Sequence, residues 1–257
     1  RPVSELVRPS YRAIAPYTSN REPVRIDLSD NRNQLGPAPS AAAALSAGLE
    51  QMAHYPSHYS ARLKDKIADY LGVRAEHVVT GCGSDDVLDS AVRAFAAEGE
   101  SITFSEPTFA MIPHLAVTNA LSARPLAFDA ARGWDIDAEA LLAERAKITY
   151  VCSPNNPTGT LASPDAIERV IAGAEGLVIL DDAYAEFHDV SYARRATEES
   201  SLLVVRTFSK AFGLAGMRIG YGIGSPELVA EIEKSRGPYK VGVLSERAAC
   251  APLEHEL

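Results

Sequence analysis

Short apolar runs without polar alternation recur along this chain of 257 residues, and amphipathic helical patterns separate them. Such runs lie at residues 177–180 and 202–205, a further buried strand is predicted at residues 148–152, and short strands are predicted at residues 77–80 and 101–104. A strand that lacks polar alternation is typical of a parallel sheet covered by helices on both faces. The pattern therefore predicts an α/β fold with a mostly parallel central sheet flanked by helices.

The helical patterns begin at recognisable capping residues. Ser84 is predicted to cap an amphipathic helix that follows the strand at residues 77–80. Ser163 followed by Pro164 predicts a second helix start, because proline is favoured in the first turn, where its missing N–H is not needed. Each predicted helix thus lies between two predicted strands, as a parallel sheet requires.

The first 40 residues differ from the rest in their proline content. The prolines of this segment that restrict its backbone include Pro9, Pro16, Pro23, Pro37 and Pro39. Proline and the residue before it disfavour helix, so the segment is predicted to be extended and to pack on another part of the protein. We therefore divide the chain into an N-terminal arm at residues 1–40 and a large domain at residues 41–257.

The charge and cysteine content exclude several classes of function. With 25 basic and 34 acidic residues the formal net charge is −9, which lacks the basic footprint of a nucleic-acid-binding protein. No apolar run approaches the about 20 residues that cross a bilayer, and no secretory signal is visible in the first residues given. The three cysteines, Cys82, Cys152 and Cys250, have neither metal-site nor disulfide spacing. We expect a cytoplasmic protein without nucleic-acid, membrane or metal partners.

Polar clusters directly follow the predicted strands. They occupy residues 81–85, 153–159, 181–184 and 206–218. In a doubly wound sheet, ligands bind beyond the carboxyl ends of the strands, so these clusters are expected to meet. Taken singly, each has a simpler interpretation: a turn with a helix cap, a rigid loop, a solvated strand end or a surface charge.

Together the clusters indicate a single cofactor. Hydroxyls and Arg218 around Lys210 would hold a phosphate, and a lysine near another cation or partly buried can form a Schiff base. Asp181 would lie beside a cationic ring, with Tyr184 supplying a hydroxyl, while Asn155 and Asn156 present amides to the pocket. Pyridoxal 5′-phosphate (PLP) needs this set, because the lysine holds its aldehyde and the aspartate keeps its ring nitrogen protonated.

With these motifs in place, the sequence resembles the fold-type I PLP-dependent aminotransferases of class I/II, in particular histidinol-phosphate aminotransferases. The resemblance runs from about Leu28 to the end of the chain. It is carried, in the order of the family, by Tyr55-Pro56, residues 81–86, residues 106–109, residues 153–159, residues 181–184 and residues 206–218.

The resemblance implies a role for each matching residue. Lys210 corresponds to the Schiff-base lysine and proton shuttle, and Asp181 to the partner of the pyridinium nitrogen. Asn156 and Tyr184 correspond to the donors to the phenolic oxygen of the ring. The other implied cofactor contacts are the phosphate ligands Gly83, Ser84, Asp85, Thr207, Ser209 and Arg218, the stacking residue Phe109, and Tyr55, which reaches the phosphate of a neighbouring subunit. The last contact implies a homodimer with shared active sites.

The implied reaction is ping-pong transamination through Schiff bases. An amino acid or an amino-phosphate resembling histidinol phosphate would exchange its amino group with a 2-oxo acid. A PLP-dependent decarboxylase or lyase shares the same cofactor residues and remains an alternative. A truncated, non-catalytic PLP-binding protein is a second alternative, belonging to a different functional class.

Three departures from the family pattern bear on the substrate and the domains. Many relatives have Asn-Glu-Asn-Pro-Leu-Gly where this chain has Asn-Arg-Asn-Gln-Leu-Gly at residues 31–36, so the cation Arg32 replaces an anion. Lys240-Val241-Gly242 stands where relatives often have Asn-Val-Asn. The chain ends at Leu257, so the C-terminal small domain and its carboxylate-binding arginine are expected to be missing. The amino substrate therefore stays open.

Overall fold

The strands form one seven-stranded sheet in a computed structural model that describes residues 1–12, 14–16, 22–128 and 130–255. The strands are Val78–Gly81 (β1), Ser101–Glu106 (β2), Ser122–Ala127 (β3), Ile148–Cys152 (β4), Leu177–Asp181 (β5), Leu202–Thr207 (β6) and Gly220–Ile223 (β7). Their order across the sheet is β1-β7-β6-β5-β4-β2-β3. Only β7 runs antiparallel to its neighbours, so the predicted mostly parallel α/β sheet is confirmed.

Helices follow most of the strands and cover the sheet. The α-helices are Val3–Leu6 (α1), Pro39–Ser46 (α2), Ala61–Leu71 (α3), Ser84–Phe95 (α4), Met111–Thr118 (α5), Ala138–Ala143 (α6), Pro164–Gly173 (α7), Ala193–Glu198 (α8), Pro226–Lys234 (α9) and Val243–His255 (α10). Among the described residues, no helix is both long and apolar enough to span a membrane.

Successive side chains of the central strands pack into two separate apolar layers. In β5, Val178 and Leu180 belong to one layer, whereas Leu177 and Ile179 belong to the other. This division follows from the pleat of a strand, which directs neighbouring side chains to opposite faces. Helices therefore cover both faces of β5, which explains its continuous apolar sequence.

The N-terminal segment packs on the chain that follows β6. Asn33 Nδ2 donates to the carbonyl of Ala211 at 2.9 Å, and the Ala38 N–H donates to the carbonyl of Phe212 at 3.0 Å. A Cβ at Gly213 would collide with the carbonyl of Gly36, so the two backbones touch at a position that only glycine permits. Parts of the predicted arm, residue 13 and residues 17–21, and the last two residues of the predicted large domain lie outside the described residues.

Several local predictions differ from the structure. The first strand begins at Val78, because His77 closes a 3₁₀ turn, and Ser84 is the first residue of α4 rather than its cap, which is Gly83. Strands β3 and β7 were not predicted from the sequence. The first is an exposed edge strand that contains a proline, and the second is half glycine, so neither has the apolar pattern of a central strand.

Candidate active site

A pocket of about 630 Å³ opens where the carboxyl ends of β4, β5 and β6 lie side by side. It is lined by Asp30, Asn31, Ser84, Asp85, Thr108, Phe109, Ala110, Cys152, Asn156, Pro157, Asp181, Ala183, Tyr184, Thr207, Ser209, Lys210, Ala215 and Arg218. All the predicted site residues except Gly83, Tyr55 and Asn155 are among them. Segments far apart in sequence thus meet at one edge of the sheet, as the topology of parallel strands requires.

Asp181 lies at the bottom of the pocket as the last residue of β5, and only 3% of it is exposed. The Tyr150 hydroxyl donates to its Oδ2 at 2.7 Å, and the Ala183 N–H donates to its Oδ1 at 3.2 Å. Burial raises the pKa of Asp181 to about 6, although the Tyr150 hydrogen bond opposes the rise. A carboxylate held this way is a strong counter-charge for a cation that enters the pocket.

Lys210 projects into the pocket from the segment after β6. Its Nζ donates to the carbonyl of Asp30 at 2.9 Å and lies 5.7 Å from the centre of the Tyr184 ring. Burial lowers the pKa of Lys210, while the carboxylates of Asp30, Asp85 and Asp181 act in the opposite direction. An amine that loses its proton more readily than an ordinary lysine is a better nucleophile and a better base.

The N-terminus of α4 lies at one end of the pocket. Gly83 precedes the helix at φ +80°, and a Cβ at this position would lie 2.5 Å from Arg218 Nη2. Arg218 in turn approaches Asp85, with Nη2 3.3 Å from Oδ2. Gly83 therefore shapes the pocket without lining it, since glycine alone leaves room for the guanidinium. A helix N-terminus beside an arginine favours a phosphate group.

Two hydroxyl groups, carried by the last residue of β6 and by the loop after it, complete this part of the pocket. The Thr207 hydroxyl donates to Ser209 Oγ at 3.0 Å and accepts from the Ser209 N–H at 3.1 Å. This short loop holds both hydroxyl groups in the pocket lining. Neutral hydroxyls next to Arg218 add hydrogen-bonding capacity for an anion without adding charge.

Tyr184 and Asn156 face the pocket from the loops after β5 and β4. The Tyr184 hydroxyl accepts from Asn31 Nδ2 at 2.8 Å, and burial raises the pKa of Tyr184. Phe109 also lines the pocket and packs partly on the apolar layer that contains Ile179. These groups supply a hydroxyl, an amide and an aromatic face for a planar ligand.

The prediction that Asn155 also presents its amide to the pocket is wrong. Asn155 is 3% exposed, and its Nδ2 donates to the carbonyl of Pro107 at 3.0 Å and to Thr158 Oγ1 at 2.9 Å. Its Oδ1 accepts from the Thr108 hydroxyl at 2.9 Å. Asn155 therefore holds its own loop against the loop after β2, while Asn156 faces the pocket.

Tyr55 lies on the surface, outside the pocket of its own chain. It is 83% exposed, and its ring centre is 5.1 Å from that of Tyr239. Arg32 of the arm also lies outside the pocket lining, and its Nη2 is 3.7 Å from Asp27 Oδ2. A second chain or an additional domain would be needed to bring Tyr55 against a ligand.

Sequence reasoning missed Tyr150 and the backbone of Asp30 as parts of the site. A tyrosine inside a buried strand is a detectable signal, because its hydroxyl needs a hydrogen-bond partner. No comparable signal marks Asp30, whose carbonyl reaches Lys210 only because the arm folds across the pocket.

Comparisons with known proteins identify similar sequences and folds. The sequence pattern of the family described as "Aminotransferase class I and II" matches residues 23–257. Histidinol-phosphate aminotransferase 2 of Pseudomonas aeruginosa is 37% identical across 97% of this chain and 72% of its own length. An aromatic amino acid aminotransferase of Nocardia farcinica is 36% identical across 99% of this chain and 75% of its own length.

A solved structure extends the comparison to the fold. The crystal structure of histidinol-phosphate aminotransferase from Sinorhizobium meliloti in complex with pyridoxal-5′-phosphate superposes with a TM-score of 0.81 at 27% identity. The match covers 88% of this chain and 63% of that chain. This chain therefore spans only part of the length of the relatives that it matches.

Proposed function

Because the chain belongs to the aminotransferase class I and II family, we propose that it binds PLP and carries out amino transfer. The reaction would move an amino group between an amino acid or an amino-phosphate and a 2-oxo acid. One observation carries the proposal: Lys210 enters a pocket that has a buried carboxylate, Asp181, and an anion-binding end at Arg218. The charges of both ends act on the Lys210 amine.

The donor set of the pocket fits PLP. The phosphate would be held by the N-terminus of α4, Arg218 and the hydroxyls of Ser84, Thr207 and Ser209. Asp181 would face the ring nitrogen, because a buried carboxylate without a cationic partner is otherwise unfavourable. Tyr184 and Asn156 would donate hydrogen bonds to the phenolic oxygen, and Phe109 would cover a ring face. Each polar atom of the cofactor thereby finds a group of suitable chemistry.

When bound, PLP supplies an electrophilic carbon for an amine and a ring that accepts an electron pair. The chain supplies the proton transfers and the electrostatics. Lys210 Nζ, with its lowered pKa, accepts and returns a proton at the substrate carbon. The Asp181 carboxylate stabilises positive charge at the ring nitrogen, and the Asp30–Asn31 segment positions the Lys210 amine and the Tyr184 hydroxyl through hydrogen bonds.

Histidinol phosphate or a related amino-phosphate is the substrate class that the similar proteins support most directly. The relatives from Pseudomonas aeruginosa and Sinorhizobium meliloti carry that activity in their names, whereas the relative from Nocardia farcinica is named for aromatic amino acids. The substrates in all three names have an aromatic or heteroaromatic side chain near the amino group. We therefore propose an amino substrate with a ring, with or without a phosphate.

The half-reaction of the cofactor-loaded chain tests this function. Purified protein is loaded with PLP and mixed with histidinol phosphate, phenylalanine or glutamate. We expect a change in the visible absorbance band of the cofactor, with formation of a keto product and of pyridoxamine phosphate. Release of carbon dioxide instead of keto product would identify a decarboxylase, and a chain that takes up no PLP would contradict the proposal altogether.

We further propose that two copies of the chain share their active sites, each contributing Tyr55 to the pocket of the other. Tyr55 and Tyr239 form an exposed aromatic pair, and Tyr239 also bonds to His58 through its hydroxyl at 2.6 Å. An ordered aromatic pair on the surface is suited to a contact with another chain. In a two-fold dimer, this contact would occur twice.

A mixing experiment tests the shared sites. Tyr55→Ala and Lys210→Ala chains should each be nearly inactive alone, because each lacks one half of the site. Mixed in equal amounts, they should recover about a quarter of the wild-type activity, since half of the dimers are mixed and one site in each is intact. Failure to recover activity after subunit exchange, shown by mass-labelled chains, would assign Tyr55 to a different role.

A further inference from the structure

The helix end proposed to receive phosphate carries two carboxylates of its own. Asp85 and Asp86 both lie in the first turn of α4. Acidic residues favour a helix N-terminus, but they repel a second anion that binds there. A phosphate dianion therefore requires that both carboxylates be neutralised by cations.

Different cations neutralise the two carboxylates. Asp85 approaches Arg218 inside the pocket, whereas Asp86 points away from it. Asp86 Oδ1 accepts from Lys240 Nζ at 2.8 Å, and its Oδ2 accepts from the Cys82 N–H at 3.0 Å. The Asp86 side chain is only 10% exposed, so water weakens this ion pair less than a surface pair.

A second cation, Arg236, lies behind the same loop. It is 7% exposed, and none of its three guanidinium nitrogens has a hydrogen-bond partner in the part of the chain that the structure describes. Burial lowers the pKa of Arg236. Of the nearby negative charges, which raise this pKa, Asp86 has the largest effect. Glu233 has the next largest effect on the pKa of Arg236, but it already forms an ion pair with Lys64.

An unpaired buried guanidinium is costly for folding. Moving an ion out of water is unfavourable unless hydrogen bonds and an opposite charge compensate for the loss. Arg236 makes none of these hydrogen bonds, so its contribution to this region is its positive charge. Lys240 pairs with Asp86, and Arg236 lies close enough to interact electrostatically with the same carboxylate, so one positive charge remains in excess behind the loop at residues 81–86.

We propose that Arg236 and Lys240 are positioning residues that make the loop at residues 81–86 positive and thereby select a phosphorylated cofactor over its phosphate-free form. Neither residue lines the pocket, so both act through Asp86 and the potential at the start of α4. The proposal rests on the proposed function, because it assumes that PLP enters this pocket.

Binding of PLP and of pyridoxal, which lacks the phosphate, to the cofactor-free chain tests the proposal. Arg236→Met and Lys240→Met should each weaken PLP binding by about tenfold, which is the effect of about 1.4 kcal/mol, and leave pyridoxal binding within about twofold. The charge-conserving variant Arg236→Lys should keep the wild-type ratio of the two affinities. The matched control is Lys234→Met, which removes an exposed lysine of α9 whose partner, Glu231, is remote from the loop.

A double variant distinguishes an effect of the local charge on PLP binding from an effect of side-chain shape. Asp86→Asn combined with Lys240→Met removes a carboxylate and a cation together, so the PLP-to-pyridoxal ratio should return towards the wild-type value. Thermal unfolding gives an independent readout. Arg236→Met should keep or raise the melting temperature of the cofactor-free chain while it weakens PLP binding, whereas a purely structural arginine would lower it.

The outcomes distinguish this inference from the proposed function. A wild-type chain that binds neither PLP nor pyridoxal contradicts both. A wild-type chain that binds PLP, with variants that lose affinity for both ligands equally or for neither, contradicts the electrostatic role alone. A marked loss of stability in Arg236→Met would show that the guanidinium has a partner that supports the fold.

Discussion

Replacing Lys210 by alanine is expected to slow amino transfer by at least about 10²–10⁴-fold, the range associated with the loss of a positioned acid–base group. Lys210 is the one lysine that lines the described pocket, and its lowered pKa provides a neutral amine at lower pH than an ordinary lysine does. The measurement is the single-turnover rate of keto-product formation from the cofactor-loaded chain. Borohydride, which reduces a lysine–cofactor imine irreversibly, should attach PLP to the wild type and not to the variant.

The fold should survive this substitution. Among the described residues, the Lys210 side chain hydrogen-bonds only to the carbonyl of Asp30, and it is half-buried. Thermal unfolding should therefore stay close to that of the wild type. Lys234→Ala, at an exposed position on α9, is the matched control and should keep full activity. Amino transfer by Lys210→Ala at the wild-type rate would assign the proton transfer to another residue.

Replacing Asp181 by asparagine is expected to have opposite effects on activity and on stability. Activity should fall by about 10²–10³-fold, because asparagine cannot supply the negative charge that stabilises a protonated ring nitrogen. The cofactor-free chain should become more stable near neutral pH, because the substitution removes a buried carboxylate that forms no ion pair with any described residue. The function of Asp181 therefore opposes the stability of the empty protein.

The pH dependence of unfolding shows whether the Asp181 carboxylate stabilises or destabilises the cofactor-free chain. Burial raises the pKa of Asp181 to about 6, above the value of about 3.9 for an unfolded chain. The native state therefore binds the Asp181 proton more tightly than the unfolded chain does. The protonated carboxyl group stabilises the fold at low pH, and this part of the free energy of unfolding is lost as the pH rises from about 4 to about 6. The loss amounts to about 2–3 kcal/mol, and it should be absent in Asp181→Asn when unfolding in denaturant is compared across this range.

Tyr150→Phe is the matched comparison. It removes the hydroxyl that donates to Asp181, so the pKa of Asp181 should rise further and the loss of stability should extend to higher pH. Equal pH profiles of the wild type, Asp181→Asn and Tyr150→Phe in the cofactor-free state would show that Asp181 is not a buried anion in this pocket.

Local sequence patterns are enough to predict much of the fold and the family to which the chain belongs. The apolar runs at residues 177–180 in β5 and 202–205 in β6 predict strands covered on both faces, and Ser163-Pro164 predicts the start of α7. The order of the six polar motifs identifies a class I/II aminotransferase, which the family match and the relatives confirm. The individual cofactor contacts remain predictions, although the structure brings most of these residues into one pocket.

Other features depend on contacts that no local pattern records. Asn155 and Asn156 are adjacent and identical, yet one holds a loop and the other faces the pocket, because the loop after β2 supplies partners to only one of them. Likewise Asp85 and Asp86 face different sides of α4 and meet cations from different segments. Neighbouring residues of the same type diverge in role when the backbone turns between them.

By itself, the sequence determined which chemical groups the chain possesses, the α/β class of its fold and the family to which it belongs. These depend on residue types, spacing and periodicity, which act over a few residues at a time. Only the tertiary structure decided that Asp181 is buried beneath Tyr150, that the carbonyl of Asp30 reaches Lys210 and that the Arg236 guanidinium makes no hydrogen bond to the described residues. Burial and long-range pairing set the electrostatic free energies of these groups, and both depend on segments that are distant in sequence.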